Sequence, residues 1–363
     1  MPPYMDPALL ILTIIALALA ATAVMLWVCL LVYRVVDNRR RRRREQIADR
    51  WLGLLLPALE GGQGLNTLPR LRWRLETEAV LGLLHDLAER FRGQYRDNLH
   101  AVLRHIGAED YGFRLLKQSS ENARMRGCAL LAWMAPSAKV DEKLAVLLRD
   151  PRPGVRLEAA HALSARRTPG ISLQTIITSL RGTEAMRSER ARDIIHLMAP
   201  GQSATLSWLL QSAKDAREKE LLIDGLAVAG DFMYAREVAI HLGDASAKVR
   251  AAAVDALERL ADPQHIESVS ALSRDADPRV RLSVARYAKS MGGDASAIRV
   301  LEYLCLDRNF DVRRTAVHAL ALWKGRSWDH LAALAQRDPL LESIMREATQ
   351  QNPPLTAATL AHA

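Results

Sequence analysis

Two patterns of apolar residues divide this chain. The segment Pro7–Tyr33 contains no charged residue, and Ala8–Val32 is almost wholly apolar. About 20 apolar residues in a row are enough for a helix to cross a bilayer, so this pattern predicts a transmembrane helix over residues 8–36. Farther along the chain, apolar residues recur three and four positions apart, which is typical of amphipathic helices, and sustained strand alternation is absent from the sequence.

The helical region carries a repeated motif, in which an Asp is followed by four residues, then by Val-Arg and a helix rich in small residues. The Asp and Arg of these motifs are Asp150 and Arg156, Asp244 and Arg250, Asp275 and Arg281, and Asp307 and Arg313. Weaker copies, which lack the Asp, have their arginines at Arg96, Arg126, Arg187 and Arg217. A ninth unit is expected after Asp338, where Ile344 replaces the arginine. Successive arginines are 30 to 33 residues apart, and a fixed period of this size indicates a solenoid of stacked units.

The motif resembles that of HEAT repeats, whose units are pairs of antiparallel helices. The resemblance covers roughly residues 76–350 and implies an all-α fold. The expected architecture is a right-handed α-solenoid of about eight to nine helix pairs behind one N-terminal transmembrane helix. The resemblance further implies that the Asp and Arg of the four complete motifs form a structural ladder between neighbouring units.

These patterns predict six segments. They are a short extracytoplasmic N-terminus (1–7), the transmembrane helix (8–36), a basic juxtamembrane segment (37–44), a capping or interfacial helix with its loop (45–75), the solenoid (76–350) and a flexible tail (351–363). Residues 45–60 are amphipathic around Trp51, and we expect this segment to end at Pro57 and the glycines that follow. A cap over the first repeat is the favoured interpretation, and a helix lying on the membrane interface is the alternative.

Seven arginines follow the apolar segment: Arg34, Arg39, Arg40, Arg41, Arg42, Arg43 and Arg44. Basic residues beside a membrane span stay on the cytoplasmic side, which predicts an N-terminus outside and a cytoplasmic solenoid. Such a cluster also attracts anionic lipid head groups. A cleaved signal peptide is the competing interpretation, but residues 1–7 contain no Lys or Arg and the apolar run is too long for one.

The charge beyond this segment is nearly balanced. Of the net charge of +9, residues 1–44 carry +5 and the remaining residues only +4. A balanced surface argues against an array that binds nucleic acid. The three cysteines, Cys29, Cys128 and Cys305, lie far apart without a metal-binding spacing, which is typical of a reducing compartment.

The sequence contains no motif of a nucleophile elbow, a phosphate-binding loop or a zinc protease, so we expect no catalytic residue, no metal and no cofactor. A catalytic site formed by residues of separate repeats would leave no such motif in the sequence, so this alternative stays open. The remaining candidate is the extended concave surface of the stacked second helices, which repeat proteins use to hold other proteins. Positions two and five after the motif arginines give a candidate partner-binding face: Glu158, His161, Glu189, Arg192, Asp255, Arg286 and His318.

The combined interpretation is a membrane-anchored scaffold that binds a membrane-associated protein, contacts the bilayer through its N-terminal helix, and takes neither nucleic acid nor a small-molecule substrate. Its Arg-rich, Lys-poor and Ala-rich composition suggests the inner membrane of a bacterium with a GC-rich genome. The chain resembles bacterial membrane-anchored HEAT proteins, some of which accompany glycosyltransferases of exopolysaccharide synthesis.

Two alternatives belong to other classes: an enzyme of the phycobilin lyase type, which has HEAT-like repeats, and a HEAT-like nucleic-acid binder. The membrane helix argues against the first and the balanced charge against the second.

Overall fold

The computed structural model describes residues 7–61, 65–70, 74–88, 94–292, 294–323 and 326–351. Within these residues all regular structure is helical and no strand occurs. The chain divides into an N-terminal unit (residues 1–119 and 133–137) and a repeat array (residues 120–132 and 138–363). The prediction of an all-α solenoid is confirmed. The expected tail 351–363 lies almost wholly outside the described residues.

The N-terminal unit is built on one long helix. Its helices are α1 (Pro7–Gly61), α2 (Arg74–Ala88), α3 (Gln94–His105) and α4 (Ala108–Leu116), with a 3-10 turn at Leu65–Thr67. Helix α1 has 55 residues. Its stretch Ile14–Arg39 has a mean hydropathy of 2.7 and buries none of its surface within the chain. This stretch is long and apolar enough to span a membrane.

The last turns of α1 pack against α2 and α3. Trp51, Leu55 and Leu59 are buried there. The indole N–H of Trp51 donates to Glu76 Oε1 at 3.1 Å, and the side-chain amide of Asn98 donates to the carbonyl oxygen of Leu59 at 2.8 Å. The apolar side of this segment is therefore covered by protein, as in a capping element.

The helix ends at Gly61, as the glycines predict, but the expected break at Pro57 is wrong, because α1 continues through this residue. A proline inside a helix cannot donate to the carbonyl four residues earlier, here that of Gly53. Gly53 is exposed and has open space beside it, so its carbonyl stays accessible to water. The basic segment 37–44 and residues 45–61 therefore belong to the same helix as the apolar stretch.

The helices of the repeat array alternate between two sets. The first helices are α6 (Ala138–Leu147), α8 (Leu173–Leu180), α10 (Ser203–Ser212), α12 (Ala235–Ala239), α14 (Ile266–Ala271), α16 (Ala295–Leu304) and α18 (Arg326–Ala335). The second helices are α5 (Glu121–Ala132), α7 (Pro153–Ala165), α9 (Glu189–Met198), α11 (Ala216–Ala229), α13 (Ala247–Arg259), α15 (Pro278–Ser290), α17 (Phe310–Trp323) and α19 (Pro339–Gln351). Each second helix packs on the next one along the chain, so the second helices form one layer.

Small residues allow the second helices to approach closely. In α7, Ala159 and Ala162 are fully buried beside Val155. The tightest position is Gly225 in α11, where a Cβ would lie 2.6 Å from Ile195 Cγ2 of α9. Because protein interiors are close-packed, a side chain at this glycine would require Ile195 or its helix to shift.

The Asp of each complete motif, and Asp338 of the ninth unit, closes the turn before a second helix. Its carboxylate accepts a hydrogen bond of 2.8 to 3.0 Å from the N–H group two residues later. The residues that act in this way are Asp150, Asp244, Asp275, Asp307 and Asp338. An Asp side chain mimics a backbone turn in this geometry, which explains why the motif needs this residue type before the helix.

Candidate interaction surface

The same Asp also binds a cation from the preceding unit. Arg281 donates from Nε to Asp307 Oδ2 at 2.6 Å and from Nη2 to Oδ1 at 2.9 Å. Arg250 binds Asp275 in the same bidentate way, at 2.7 and 2.9 Å. The other rungs are Arg124 with Asp150, Lys219 with Asp244, and Arg313 with Asp338. Each of these five rungs joins one unit to the next, over a sequence separation of 25 or 26 residues.

Within one motif, the Arg reaches its own Asp only through the main chain. Arg281 Nη1 donates to the carbonyl oxygen of Asp275 at 2.7 Å, and Arg250 Nη1 donates to that of Asp244 at 2.8 Å. Each guanidinium thus connects the turn of its own unit with the carboxylate of the following unit. The six-residue offset that defines the motif places the arginine within hydrogen-bond distance of the main chain of its own turn. The arginine forms its ion pair with the Asp of the following unit.

The motif pair Asp150 and Arg156 does not follow this arrangement. Asp150 binds Arg124 Nε at 3.1 Å. Arg156 Nε is buried and has no hydrogen-bond partner within the described residues. The residues 25 and 26 positions after Arg156 are Arg181 and Gly182, so the next turn has no carboxylate at the ladder position.

The ladder carboxylates Asp275 and Asp307 have a lowered pKa. Burial by itself raises the pKa of Asp307, but hydrogen bonds from Arg281 and from the N–H of Asn309 outweigh it and bring the pKa below its ordinary value. The pKa of Asp275 is lowered in the same way, with Arg250 as the main donor against the effect of burial. These shifts mean that ionised carboxylates stabilise the folded array.

The candidate partner-binding face lies on the second helices, and most of its residues are paired across neighbouring helices. The pairs are Glu158 with Arg190, Glu189 with Arg217, Arg192 with Glu220, and Asp255 with Arg286. His318 Nε2 lies 3.8 Å from Glu347, which Arg314 binds at 2.5 Å. Glu158 is only 7% exposed, so its side chain has little surface available to a partner, contrary to the expectation. The half-buried His161 has a pKa lowered by burial and then by Arg190.

Sequence reasoning missed one residue that ties three second helices together, Asp224 of α11. It accepts hydrogen bonds from His196 Nε2 at 2.7 Å and from Arg259 Nη1 at 2.6 Å, and Arg192 Nε lies 3.5 Å away. Burial raises the pKa of Asp224, but the bonds from His196 and Arg259 outweigh burial and lower it. No repeated spacing marks these contacts, so the only available signal was an acidic residue among basic positions of adjacent second helices.

These contacts give the second helices a polar surface on which ion pairs connect neighbouring helices and opposite charges nearly balance. Asp255 and Arg286 are 35% and 46% exposed in their side chains, and exposed pairs of this kind contribute about 0–1 kcal/mol each. Their side chains remain accessible to a partner that offers matching charges. Such a surface suits recognition of another macromolecule by complementary charge.

Groups that could carry other chemistry are few in the described part of the chain. No cluster of three or more His, Cys, Asp or Glu residues there could hold a metal ion. Cys128 and Cys305 are buried free thiols. Burial raises the pKa of Cys128 to about 12, which keeps this thiol in its unreactive neutral form.

Comparison with known proteins gives a match for part of the repeat array. Residues 236–321 match the family model of HEAT repeats, and they include the turns and second helices that carry the Arg250 and Arg281 rungs. The structure of human deoxyhypusine hydroxylase in complex with glycerol is similar to this chain at 17% sequence identity and a TM-score of 0.30, over 81% of this chain and 98% of that chain. No curated protein matches the sequence.

Proposed function

We propose that this HEAT-repeat chain is a membrane-anchored scaffold that holds a partner protein through its repeat array. The observation that carries the proposal is the continuity of α1. One helix contains the apolar stretch Ile14–Arg39 and the buried turns around Trp51 and Leu55. A cleaved leader would not share a helix with the core of the following unit, so this continuity supports a permanent anchor.

The basic residues after the span support an orientation with the N-terminus outside. Positions 39–44 are all arginine and lie within α1. Six consecutive positions cover more than one turn of about 3.6 residues, so they surround the helix axis. Arginines at this boundary remain on the cytoplasmic side and attract anionic lipid. We therefore assign the repeat array to the cytoplasm of a bacterium, at its inner membrane.

The proposed recognition surface is the polar face of the second helices, and the proposed role is binding without catalysis. HEAT repeats commonly act as protein-interaction modules, and the exposed charges at Arg286 and Arg314 are available to a partner. A membrane anchor restricts the array to two dimensions and raises its effective concentration near a membrane-embedded partner. A glycosyltransferase of polysaccharide assembly is the proposed class of partner.

The test is affinity purification of the full-length protein from native membranes in mild detergent, with bound proteins identified by mass spectrometry. The variant R286E/R314E reverses two exposed charges on second helices. The matched control R236E/R299E makes the same change at two exposed positions of first helices. We expect a stoichiometric membrane protein with the wild type and the control, and a reduced amount with R286E/R314E.

Two results would contradict the proposal. If none of the proteins retains a partner, the scaffold role is wrong. A coloured purified protein would then favour the lyase alternative, and a steep salt dependence of DNA affinity would favour a nucleic-acid binder. If R286E/R314E and its control retain the partner equally, recognition does not use the polar face of the second helices.

A further inference from the structure

A cleft of about 360 Å³ opens between two consecutive turns of the repeat array. Its walls include the two ladder carboxylates, Asp275 and Asp307, and the side chains of Arg274, Tyr303, Leu306 and Arg308. The first turn ends at Asp275 and the second at Asp307, so the cleft lies between successive units. It is therefore distinct from the pairs that join the second helices.

The carboxylates of the cleft are already neutralised. Asp275 is bound bidentately by Arg250, and Asp307 is bound bidentately by Arg281. The side chains of Arg281 and Asp307 are each only 6% exposed. A cationic ligand would have to displace a buried guanidinium, so the cleft does not favour cations.

The accessible groups are two guanidiniums and two apolar side chains. Arg274 lies over the ring of Tyr303, with its Cζ 5.5 Å from the ring centroid. Arg308 is exposed and forms no hydrogen bond or ion pair within the described part of the chain. Tyr303 and Leu306 are 49% and 54% exposed, which is high for large apolar side chains. Positive charge therefore adjoins an apolar floor.

This combination is not a general property of the repeats. Tyr303 stands four residues before its ladder Asp, and the corresponding residue of the preceding unit is Ala271. Arg274 stands directly before its ladder Asp, as Arg149 and Arg337 do in their units, so the exposed tyrosine beside the arginine is what distinguishes this cleft. The motif itself needs neither an aromatic residue nor an arginine at these positions, so the stability of the ladder does not explain them.

We propose that this cleft binds an extended, acidic segment of the partner protein, in which a carboxylate lies beside a leucine or an aromatic side chain. The carboxylate binds Arg274 and Arg308, and the apolar side chain covers Tyr303 and Leu306. Arginine binds carboxylates through charge-assisted hydrogen bonds, and burial of the apolar pair adds affinity. This inference rests on the proposed scaffold function and names the chemistry of the segment that the scaffold holds.

A peptide-binding measurement tests the inference without the cellular partner. The full-length protein in detergent micelles is titrated into a fluorescent peptide of sequence Ser-Asp-Leu-Glu-Leu-Ser, and the anisotropy is followed. The control peptide has Lys in place of Asp and Glu. We expect binding of the acidic peptide alone. Equal affinity for both peptides, or no binding of either, would overturn the proposal.

Variants locate the binding within the array. In R274A/R308A the acidic peptide should bind about tenfold or more weakly, because both charged donors are lost. The matched control R149A/R152A removes two exposed arginines from the turn around Asp150 and should bind as the wild type does. All four positions are exposed, and circular dichroism verifies that each variant is folded. An equal loss in both variants would mean general charge attraction, which contradicts a specific cleft.

Competition separates the possible sources of the anion. The bound peptide is challenged with an equal concentration of inorganic phosphate or with vesicles of phosphatidylglycerol. Displacement by phosphate would identify an anion site, and displacement by the vesicles would identify a lipid site; either result contradicts a peptide site. The co-purification experiment is independent of this measurement. A retained partner with no peptide binding refutes the cleft and leaves the scaffold role intact, whereas peptide binding without any cellular partner refutes the scaffold role alone.

Discussion

Arg281 binds the carboxylate of Asp307, which closes the turn of the next unit, while its Nη1 holds the carbonyl oxygen of Asp275 in its own turn. One guanidinium therefore fixes two successive turns at once. Both side chains of the ion pair are nearly inaccessible to solvent. Removing one partner of such a pair leaves an uncompensated charge, which costs more than the pair contributes when intact.

The substitution Arg281→Ala should destabilise the array by about 3 kcal/mol, because Asp307 would remain buried without its cation. Urea unfolding of the full-length protein in detergent, followed by circular dichroism, measures the change. The control is Arg279→Ala in the same helix, which breaks a pair whose arginine side chain is 61% exposed. That change should cost less than about 1 kcal/mol. Equal midpoints for the two variants would contradict a stabilising ladder.

Acid should weaken the array through Asp275 and Asp307. Their pKa values in the folded state lie below the ordinary value of about 3.9 for an unfolded Asp. A carboxyl with a lowered folded pKa contributes stability that is complete above the unfolded pKa and is lost as the pH falls through the folded pKa. The free energy of unfolding should therefore drop as the pH is lowered below about 4.

The variant Asp307→Asn tests which groups cause this acid sensitivity. The amide oxygen of Asn can still close the turn, but the side chain no longer titrates. The variant should be less stable than the wild type at neutral pH, and its free energy of unfolding should change less with pH in the acid range. An unaltered pH slope would assign the sensitivity to other carboxylates.

The substitution Gly225→Ala should separate α9 from α11. Its Cβ would lie 2.6 Å from Ile195 Cγ2, and overpacking of this kind costs about 1–3 kcal/mol. The gain in helix propensity from Gly to Ala, about 1 kcal/mol, offsets only part of this. The control Gly243→Ala has open space beside it and should leave the thermal midpoint nearly unchanged. A stabilised Gly225→Ala protein would mean that α9 moves freely against α11.

Cysteine labelling tests the proposed orientation in the membrane. In a Cys29→Ser background, a membrane-impermeant maleimide should label Pro3→Cys in intact cells and Glu45→Cys only after permeabilisation. The natural Cys128 and Cys305 should contribute little background because both are buried and burial raises the pKa of each thiol. The reverse labelling pattern would place the repeat array outside the cytoplasm.

The period, the helical units and the Asp of the four complete motifs could be predicted from the sequence, because all three depend on local spacing. The rungs depend on how neighbouring units stack, which local spacing does not specify. Lys219 therefore supplies a rung where the motif lists Arg217, and Arg156 has no rung although its motif is complete. Asp224 likewise gains its importance from three helices that meet in space.

The course of helix α1 is the other point at which the structure differs from the sequence prediction. A proline inside a helix normally ends or kinks it, and the packing of Trp51 and Leu59 against α2 and α3 explains why α1 continues past Pro57 to Gly61. The burial of these residues stabilises the last turns more than the missing N–H of one exposed turn destabilises them. Tertiary contacts of this kind cannot be obtained from the local pattern.

In the proposed membrane-anchored orientation, helix α1 would make the first unit responsive to membrane thickness. The uncharged run Ala8–Tyr33 has 26 residues and extends about 39 Å as a helix, which exceeds the hydrocarbon thickness of about 30 Å. A helix longer than the bilayer core tilts to match it. Residues 39–50 continue the same helix for roughly 18 Å. A tilt of the helix in the membrane therefore displaces Trp51 parallel to the membrane plane. A thinner bilayer would increase that lateral displacement, and a thicker one would bring the first unit back under its anchor.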